Sequence, residues 1–124
     1  MGVGGEGETL AIAFEQAALA LVNVMTSEPI ASRERVAIHC DAPSAELLFV
    51  DWLNALVYEM ATRRVVLGEF HVTTDGHRLD AVALGEPIDR ARHRPVVEVK
   101  GATYTALSVA NVDGGFRAQC VVDV

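Results

Sequence analysis

The sequence has few cysteines. Its two, Cys40 and Cys120, stand in alternating apolar segments, without the C-x-x-C or Cys/His spacing of a redox or zinc site. A disulfide between them is possible in principle, but nothing in the sequence requires one. We therefore expect two small, buried hydrophobic side chains in a reduced protein.

Long apolar runs and a secretory leader are also missing. The most apolar stretch, residues 10–25, is interrupted by Glu15, Gln16 and Asn23, so it does not have the composition of a membrane span. The first residues are rich in Gly and Glu, whereas a signal peptide needs basic and then apolar residues. These absences predict a cytoplasmic protein that does not contact a membrane.

Positive charge is scarce as well. The chain of 124 residues has 10 Lys and Arg against 17 Asp and Glu, which gives a formal net charge of −7. Affinity for a nucleic-acid backbone comes from clustered Lys and Arg, so we expect no direct binding of nucleic acid. If RNA is involved in the function, we expect another molecule to hold it.

The residues that are present predict one α+β domain. Half of them (51%) are hydrophobic, and the chain is long enough to bury a core without disulfides. Apolar residues recur at helical spacing over Thr9–Met25 and Ser44–Met60, and Thr9 and Ser44 are suitable N-caps. The sequence therefore predicts two amphipathic helices.

The remaining segments alternate between apolar and polar residues as β-strands do. The predicted strands are 36–41, 65–74, 78–85, 96–112 with a break at Gly101, and 116–124. Asp75-Gly76 and Asp113-Gly114-Gly115 are turn signals, which favour hairpins and antiparallel sheet. The glycine-rich stretch Gly2–Gly7 is only weakly similar to a nucleotide-binding loop, because no strand precedes it.

Four blocks of the sequence, in order, resemble the archease family. The run "LLFVDWLNALVYE" at residues 47–59 places Asp-Trp-Leu-Asn in the middle of a helix, and archeases have a similar segment. The other three blocks are "ETLAIAFEQAALALVNVM", "GEPIDRARHRPVVEVKGATY" and "VVDV". They are similar to the family's first helix, its Gly-Glu to Thr-Tyr segment and its closing acid. Together the blocks cover nearly the whole chain, which makes them more specific than any single motif.

The sequence also departs from the family pattern. Thr105 stands where many archeases have His, and Gly101 replaces the usual Ala. The family normally opens with a strand that ends in His-Thr-Ala-Asp, whereas Met1-Gly2-Val3 match the residues just after that Asp. We therefore expect an archease-like domain over residues 1–124 that lacks the N-terminal strand. Either the gene start was placed at an internal Met, or the segment has been lost.

The resemblance implies a metal site at the end of the chain. Archeases place a divalent cation between the opening Asp, the penultimate Asp and the last residue, and the last two correspond here to Asp123 and Val124. Calcium takes about six to eight oxygen ligands, and two adjacent carboxylates supply some of them. The alternative is a solvated strand end with an ordinary exposed acid. Because the opening Asp is missing, we expect a weakened site for calcium or manganese.

Four further residues are candidates for contacts with a partner or a phosphate: Lys100, His93, Arg92 and Arg94. Lys100 lies in a predicted strand, and its alternative role is that of a solvated side chain. The three others lie in a predicted loop that concentrates Arg and is otherwise a solvated connection. His93 matches a characteristic His of archeases, whereas the other histidines have no ligand spacing.

The resemblance implies an accessory function and no catalytic residue. Archeases assist the GTP-dependent, manganese-using tRNA-splicing RNA ligase of the RtcB type, which joins a 2′,3′-cyclic phosphate to a 5′-hydroxyl. They speed its guanylylation and allow multiple turnovers. A chaperone-like protein-interaction module is one alternative, and a small hydrolase using Asp123 and His93 is another. We expect Asp51 and Asn54, in the Trp52 helix, to give structural support.

Overall fold

Two antiparallel sheets and two long helices form the domain. The computed structural model describes residues 1–124. In chain order the elements are β1 (Gly2–Gly7), α1 (Leu10–Met25), β2 (Glu34–Asp41), α2 (Ala45–Arg63), β3 (Val65–Thr74), β4 (Arg78–Pro87), α3 (Arg90–His93), β5 (Gly101–Ala102), β6 (Ser108–Val112) and β7 (Gly115–Asp123). The predicted α+β class is confirmed.

The last strand, β7, is the centre of the four-stranded sheet. Along one edge it pairs with β1, from Gly2 opposite Val121 to Gly7 opposite Phe116. Along the other edge it pairs with β6 and then with the two residues of β5. The three-stranded sheet has the order β2-β4-β3. The strand that ends the chain is therefore held on both sides.

The two long helices begin where their capping residues predict. The Thr9 hydroxyl accepts a hydrogen bond from the Ile12 N–H, and the Ser44 hydroxyl accepts one from the Leu47 N–H. Helix α2 continues three residues beyond the predicted end and stops at Arg64, which is left-handed with φ 55°. No helix of the protein combines the length and the apolar composition that crossing a membrane requires.

The core lies between the two sheets and both helices, since each helix contacts strands of both sheets. The Trp52 side chain is fully buried, and its Nε1–H donates to the main-chain O of Phe14 at 3.0 Å. The predicted burial of Cys40 and Cys120 is confirmed, and both are free thiols. Burial raises the pKa of Cys40 to about 11, so this thiol stays protonated at neutral pH.

The glycine-rich start, which the sequence analysis did not assign to a strand, is strand β1. Glycine is required there because α1 passes very close to the strand. A Cβ atom on Gly5 would lie 2.3 Å from the main-chain N of Ala17, and one on Gly7 would lie 2.6 Å from the Ile12 Cβ. Low β-propensity concealed a strand that the packing of α1 demands. The lack of the family's N-terminal strand stays a prediction.

The segment predicted as a strand over residues 96–112 with a break at Gly101 is mostly irregular, and only β5 and β6 are strands. Gly101 itself begins β5, so the predicted place of the break is wrong. Its first part joins two different elements: the Val96 N–H donates to Met25 O at the end of α1, and the Lys100 N–H donates to Asp123 O. A segment with changing neighbours cannot form one continuous ladder. The predicted loop before it contains the single turn α3, whose N-cap is Asp89.

Candidate functional site

The end of β7 brings together residues that are far apart in the sequence. The main-chain N–H of Lys100 donates to the main-chain O of Asp123 at 2.8 Å. On the other side of the strand end, the Val122 N–H donates to Met1 O at 2.8 Å. We call Lys100, Asp123 and Val124 the β7 tip. Three of the six predicted site residues therefore share one location.

The charged groups of the β7 tip are exposed. Asp123 points away from the buried face that carries Cys120 and Val122, because successive residues of a strand face opposite sides. Neither its carboxylate nor the Lys100 ammonium takes part in an ion pair within the chain. Both groups are therefore available to a partner or a ligand.

The β7 tip fits a divalent cation only in part. The Asp123 carboxylate and the α-carboxylate of Val124 are the hard oxygen ligands that calcium prefers. However, the chain has no group of three or more His, Cys, Asp or Glu side chains placed to hold an ion. Two carboxylates supply at most four of the roughly six to eight oxygen ligands of calcium. A complete site needs water or groups of a partner.

Asn54 of α2 holds the segment that carries Lys100. Its Oδ1 accepts a hydrogen bond from the main-chain N–H of Ala102 at 2.8 Å. Strand β5 pairs with β7 through only two residues, so this contact anchors it a second time. A Cβ atom on Gly101 would lie 3.1 Å from the same Oδ1, which is a tight contact. The predicted structural support by Asn54 is confirmed.

His93 is not at the surface. Its side chain is fully buried, and its Nδ1 accepts a hydrogen bond from the Asp89 N–H at 2.9 Å. Since Nδ1 accepts, the hydrogen lies on Nε2, which is 3.1 Å from Glu86 Oε2 and donates to it. This burial contradicts the prediction that His93 itself contacts a partner. The resemblance to archeases identified His93 as a candidate, but it gave no information on whether the side chain is exposed.

Glu86 is the centre of this buried group, and the sequence analysis did not single it out. Its carboxylate is 1% exposed and accepts hydrogen bonds from both terminal nitrogens of Arg92 and from the Ala31 N–H at 2.6 Å. The Arg92 guanidinium, followed by the Ala31 N–H, holds the pKa of Glu86 far below its usual range. We call Glu86, Arg92 and His93 the buried triad, after the burial of Glu86 and His93; the Arg92 side chain reaches them from the surface. Gly85-Glu86 matches the Gly-Glu of the archease pattern, and this match was the signal in the sequence that could have identified Glu86.

The arginines of the α3 region have different environments. Arg92 is half-exposed, but its guanidinium is committed to Glu86. Arg90 and Arg94 are exposed and make no ion pair. Arg94 is also the left-handed residue that ends α3, with φ 47°. Of the two predicted arginine contacts, only Arg94 has a free guanidinium.

A third polar group lies on the exposed face of the three-stranded sheet. His39 Nδ1 is 2.8 Å from Asp80 Oδ1, and His39 Nε2 is 2.6 Å from Asp41 Oδ2. Two carboxylates, one at each ring nitrogen, favour the doubly protonated imidazolium. The hydrogen bonds to Asp80 and Asp41 accordingly raise the pKa of His39. No role of His39 was predicted from the sequence.

Comparison with known proteins identifies similar chains. The model of the Archease protein family (MTH1598/TM1083) matches residues 1–124. The chain is 35% identical to the protein archease of Methanosarcina mazei over 124 residues, which cover 95% of this chain and 85% of that protein. It is 35% identical to the archease of Thermococcus gammatolerans over an alignment of 130 residues, which covers 100% of this chain and 92% of that protein.

Two solved structures are similar to this one. The solution structure of Methanobacterium thermoautotrophicum protein 1598 has a TM-score of 0.77 and 30% sequence identity, over 99% of this chain and 91% of that one. The crystal structure of a Thermotoga maritima archease, described as a possible chaperone, has a TM-score of 0.63 over 100% of this chain and 90% of that one. At 16% identity, the second structure shows the fold alone.

Proposed function

The chain belongs to the archease family, and from this premise we propose that it activates the GTP-dependent tRNA-splicing RNA ligase. In this proposal it promotes guanylylation and multiple turnover of the ligase and forms no bond itself. The family supports the accessory role. The identity of the ligase as partner, and the tRNA-splicing reaction, are the proposed part.

One observation carries the proposal: the hydrogen bond that joins Lys100 to Asp123 at the β7 tip. This main-chain bond brings Lys100 and Asp123 together at a strand end, and the side chains of both residues are exposed and unpaired. That end is held by β1, by β5 and, through Ala102, by Asn54. A rigid, charged and exposed tip can enter the mouth of a partner's active site without first becoming ordered.

Each residue of the β7 tip has a proposed role. The carboxylates of Asp123 and Val124 hold a divalent cation, calcium or manganese, together with water or groups of the ligase. When bound, the cation supplies positive charge toward phosphate oxygens. Lys100 supplies a second, metal-independent charge at the same tip. Mutual repulsion between the two carboxylates is relieved when the cation is present.

The α3 region contributes in two ways in this proposal. Arg94 is exposed and unpaired, so it can contact the ligase or a phosphate directly. Arg92 and His93 act indirectly, because Glu86 binds both of their side chains. They fix the position from which the segment Pro95–Lys100 starts, and that segment leads to the β7 tip.

A chaperone-like interaction module is the alternative function. The observation that favours it is exposed apolar surface: Val96 is 76% exposed and Tyr104 is 69% exposed. Both side chains lie within a few residues of Lys100. Such residues can bind unfolded segments, but they can also anchor a specific partner.

Multiple-turnover ligation with limiting ligase tests the proposal, with Asp123→Ala as the variant. We expect the rate to fall to that of the ligase alone, while the thermal midpoint stays within about 2 °C of the parent. Glu98→Ala is the matched control, because it removes the same charge from an exposed position of the neighbouring segment. It should stimulate ligation normally.

A protein with a C-terminal extension is the second variant of this experiment. The extension removes the α-carboxylate of Val124, so it should abolish stimulation as well. Calcium and manganese are added separately to each protein. If Asp123→Ala and the extended protein both stimulate ligation like the parent, the site is not functional. Suppression of aggregation of an unrelated protein, without effect on the ligase, would establish the chaperone-like alternative instead. Hydrolysis without ligase would establish a hydrolase.

A further inference from the structure

Positive charge is concentrated at one end of the three-stranded sheet. Strands β2 and β3 both run antiparallel to β4, so their starts and the end of β4 meet there. The Arg33 N–H donates to Gly85 O at 2.8 Å, and the Ile88 N–H donates to Arg64 O at 3.0 Å. Seven of the ten Lys and Arg residues lie at this basic end: Arg33, Arg35, Arg63, Arg64, Arg90, Arg92 and Arg94.

Most of these arginines are free. Arg63 pairs with Glu59 at 2.5 Å, and Arg92 pairs with Glu86. The other five make no ion pair and are exposed: Arg33, Arg35, Arg64, Arg90 and Arg94. Acids also lie at this end: Glu34 stands between Arg33 and Arg35 at the start of β2, and Asp89 caps α3. None of them is in ion-pair contact with the five free guanidiniums, which an external anion would therefore stabilise.

The opposite end of the same sheet is acidic. It carries Asp41, Asp75 and Asp80, with Arg78 as the nearby cation. The net charge of −7 is therefore distributed unevenly over the surface. The expectation that the chain does not contact nucleic acid rested on the net charge, whereas binding responds to the local field.

The composition of the basic end favours phosphate over a protein partner. The exposed large hydrophobic residues of the protein are Met1, Ile12, Leu47, Tyr58, Val96, Tyr104 and Val124, and none lies within residues 31–35, 61–64 or 87–94. Stable protein interfaces are anchored by apolar or aromatic residues. Single-stranded nucleic acids are bound by aromatic stacking, which is equally missing here. Duplex backbones are bound by charge alone.

We propose that the basic end binds the phosphate backbone of double-stranded RNA without reading its bases. The choice of RNA among polyanions rests on the proposed function, since the partner would be an RNA ligase. The segment Pro95–Lys100 connects the basic end to the β7 tip, and six residues span at most about 20 Å. One molecule can therefore hold the RNA and contact the ligase in the same complex.

Fluorescence anisotropy with a labelled RNA hairpin, in the absence of ligase, tests this proposal. The variant is Arg33→Ser/Arg90→Ser, and the matched control is Arg78→Ser/Arg117→Ser, which loses the same two charges at ion-paired positions outside the basic end. Both doubles change exposed side chains only, and their thermal midpoints are compared with the parent's.

We expect the parent to bind at low salt, with a logarithmic salt slope of roughly −4 if four to five guanidiniums contact phosphates. The Arg33→Ser/Arg90→Ser variant should bind at least about tenfold more weakly and reduce the slope by about 2, whereas the control should change affinity less than about twofold. Equal losses in both doubles, or no binding by the parent, overturn the proposal.

Ligation assays separate this proposal from the proposed function. Hairpin binding without stimulation of the ligase would leave the basic end as an RNA site and remove the ligase-activating function. Stimulation of the ligase without hairpin binding would leave the ligase-activating function and remove the RNA site. If the parent fails to bind RNA but Arg33→Ser/Arg90→Ser lowers affinity for the ligase, the basic end docks protein and the RNA proposal is wrong.

Discussion

The buried triad and the β7 tip each combine a carboxylate with basic side chains, but in opposite environments. In the triad, Glu86 is 1% exposed and its carboxylate accepts hydrogen bonds from Arg92, His93 and the Ala31 N–H. At the tip, the Asp123 carboxylate and the Lys100 ammonium are exposed and make no ion pair. One acid is fully satisfied inside the chain, and the other is left to external partners.

The comparison shows how to separate structural from functional charges in this protein. A buried carboxylate must be compensated within the chain, because its desolvation is otherwise very unfavourable. An exposed carboxylate is compensated by water, so it remains free to bind a cation or a partner. Burial and pairing therefore predict that changes in the buried triad lower stability more than changes at the β7 tip.

Glu86→Ala should cause the largest loss of stability. It leaves the guanidinium of Arg92, the Nε2–H of His93 and the Ala31 N–H without their acceptor. We expect the thermal midpoint, measured by calorimetry, to fall by roughly 10 °C or more. Asp123→Ala is the comparison variant and should change the midpoint by less than about 2 °C. Similar midpoints for both variants would abolish the distinction between the two regions.

Low pH should remove part of the difference in thermal midpoint between the parent and Glu86→Gln. The folded-state pKa of Glu86 lies below its unfolded value, so its contribution is present above the unfolded pKa of about 4.3 and is lost as the pH falls further. Thermal midpoints of both proteins from pH 7 to pH 3 measure this. The gap between them should be constant down to about pH 4.5 and then narrow. A constant gap throughout would exclude an ionised Glu86 as its source.

Asn54→Ala should loosen the β7 tip with a smaller loss of stability. The Ala102 N–H loses its acceptor but can bind water, so we expect a cost of about 0.5–1.5 kcal/mol. Hydrogen exchange of the Ala102 amide, followed by NMR, should become faster, and stimulation of the ligase should fall. Asn54→Asp retains an acceptor oxygen and should protect the amide again. Unchanged exchange in Asn54→Ala would show that the side chain does not hold β5.

His39→Gln should have the smallest effect, and it separates pairing from burial. His39 is paired with Asp80 and Asp41 but is half-exposed. Its folded-state pKa is raised, so its contribution is present below the unfolded pKa of about 6.5 and is lost as the pH rises through the folded value. The parent's advantage in thermal midpoint should therefore be slight at pH 6 and vanish at high pH. An advantage as large as that of Glu86 would mean that pairing matters more than burial.

Local patterns predicted most of the regular structure correctly. Helices α1 and α2 follow from their apolar stripes and from the caps at Thr9 and Ser44, and the β3–β4 hairpin follows from Asp75-Gly76. These features depend on residues a few positions apart, so periodicity and turn chemistry reveal them. The resemblance, in turn, directed attention to Asp123, Val124 and Lys100, and the structure places all three at one strand end.

The sequence by itself therefore determined the helices, the hairpins, the α+β class and the family. Only the tertiary structure decided that Gly2–Gly7 is a strand, that His93 is buried on Glu86, and that arginines from three segments meet at one end of a sheet. The physical reason is the range of the interactions. Caps and turns act between neighbours, whereas burial and charge clustering depend on which distant strands pair, and antiparallel pairing joins residues that no local pattern connects.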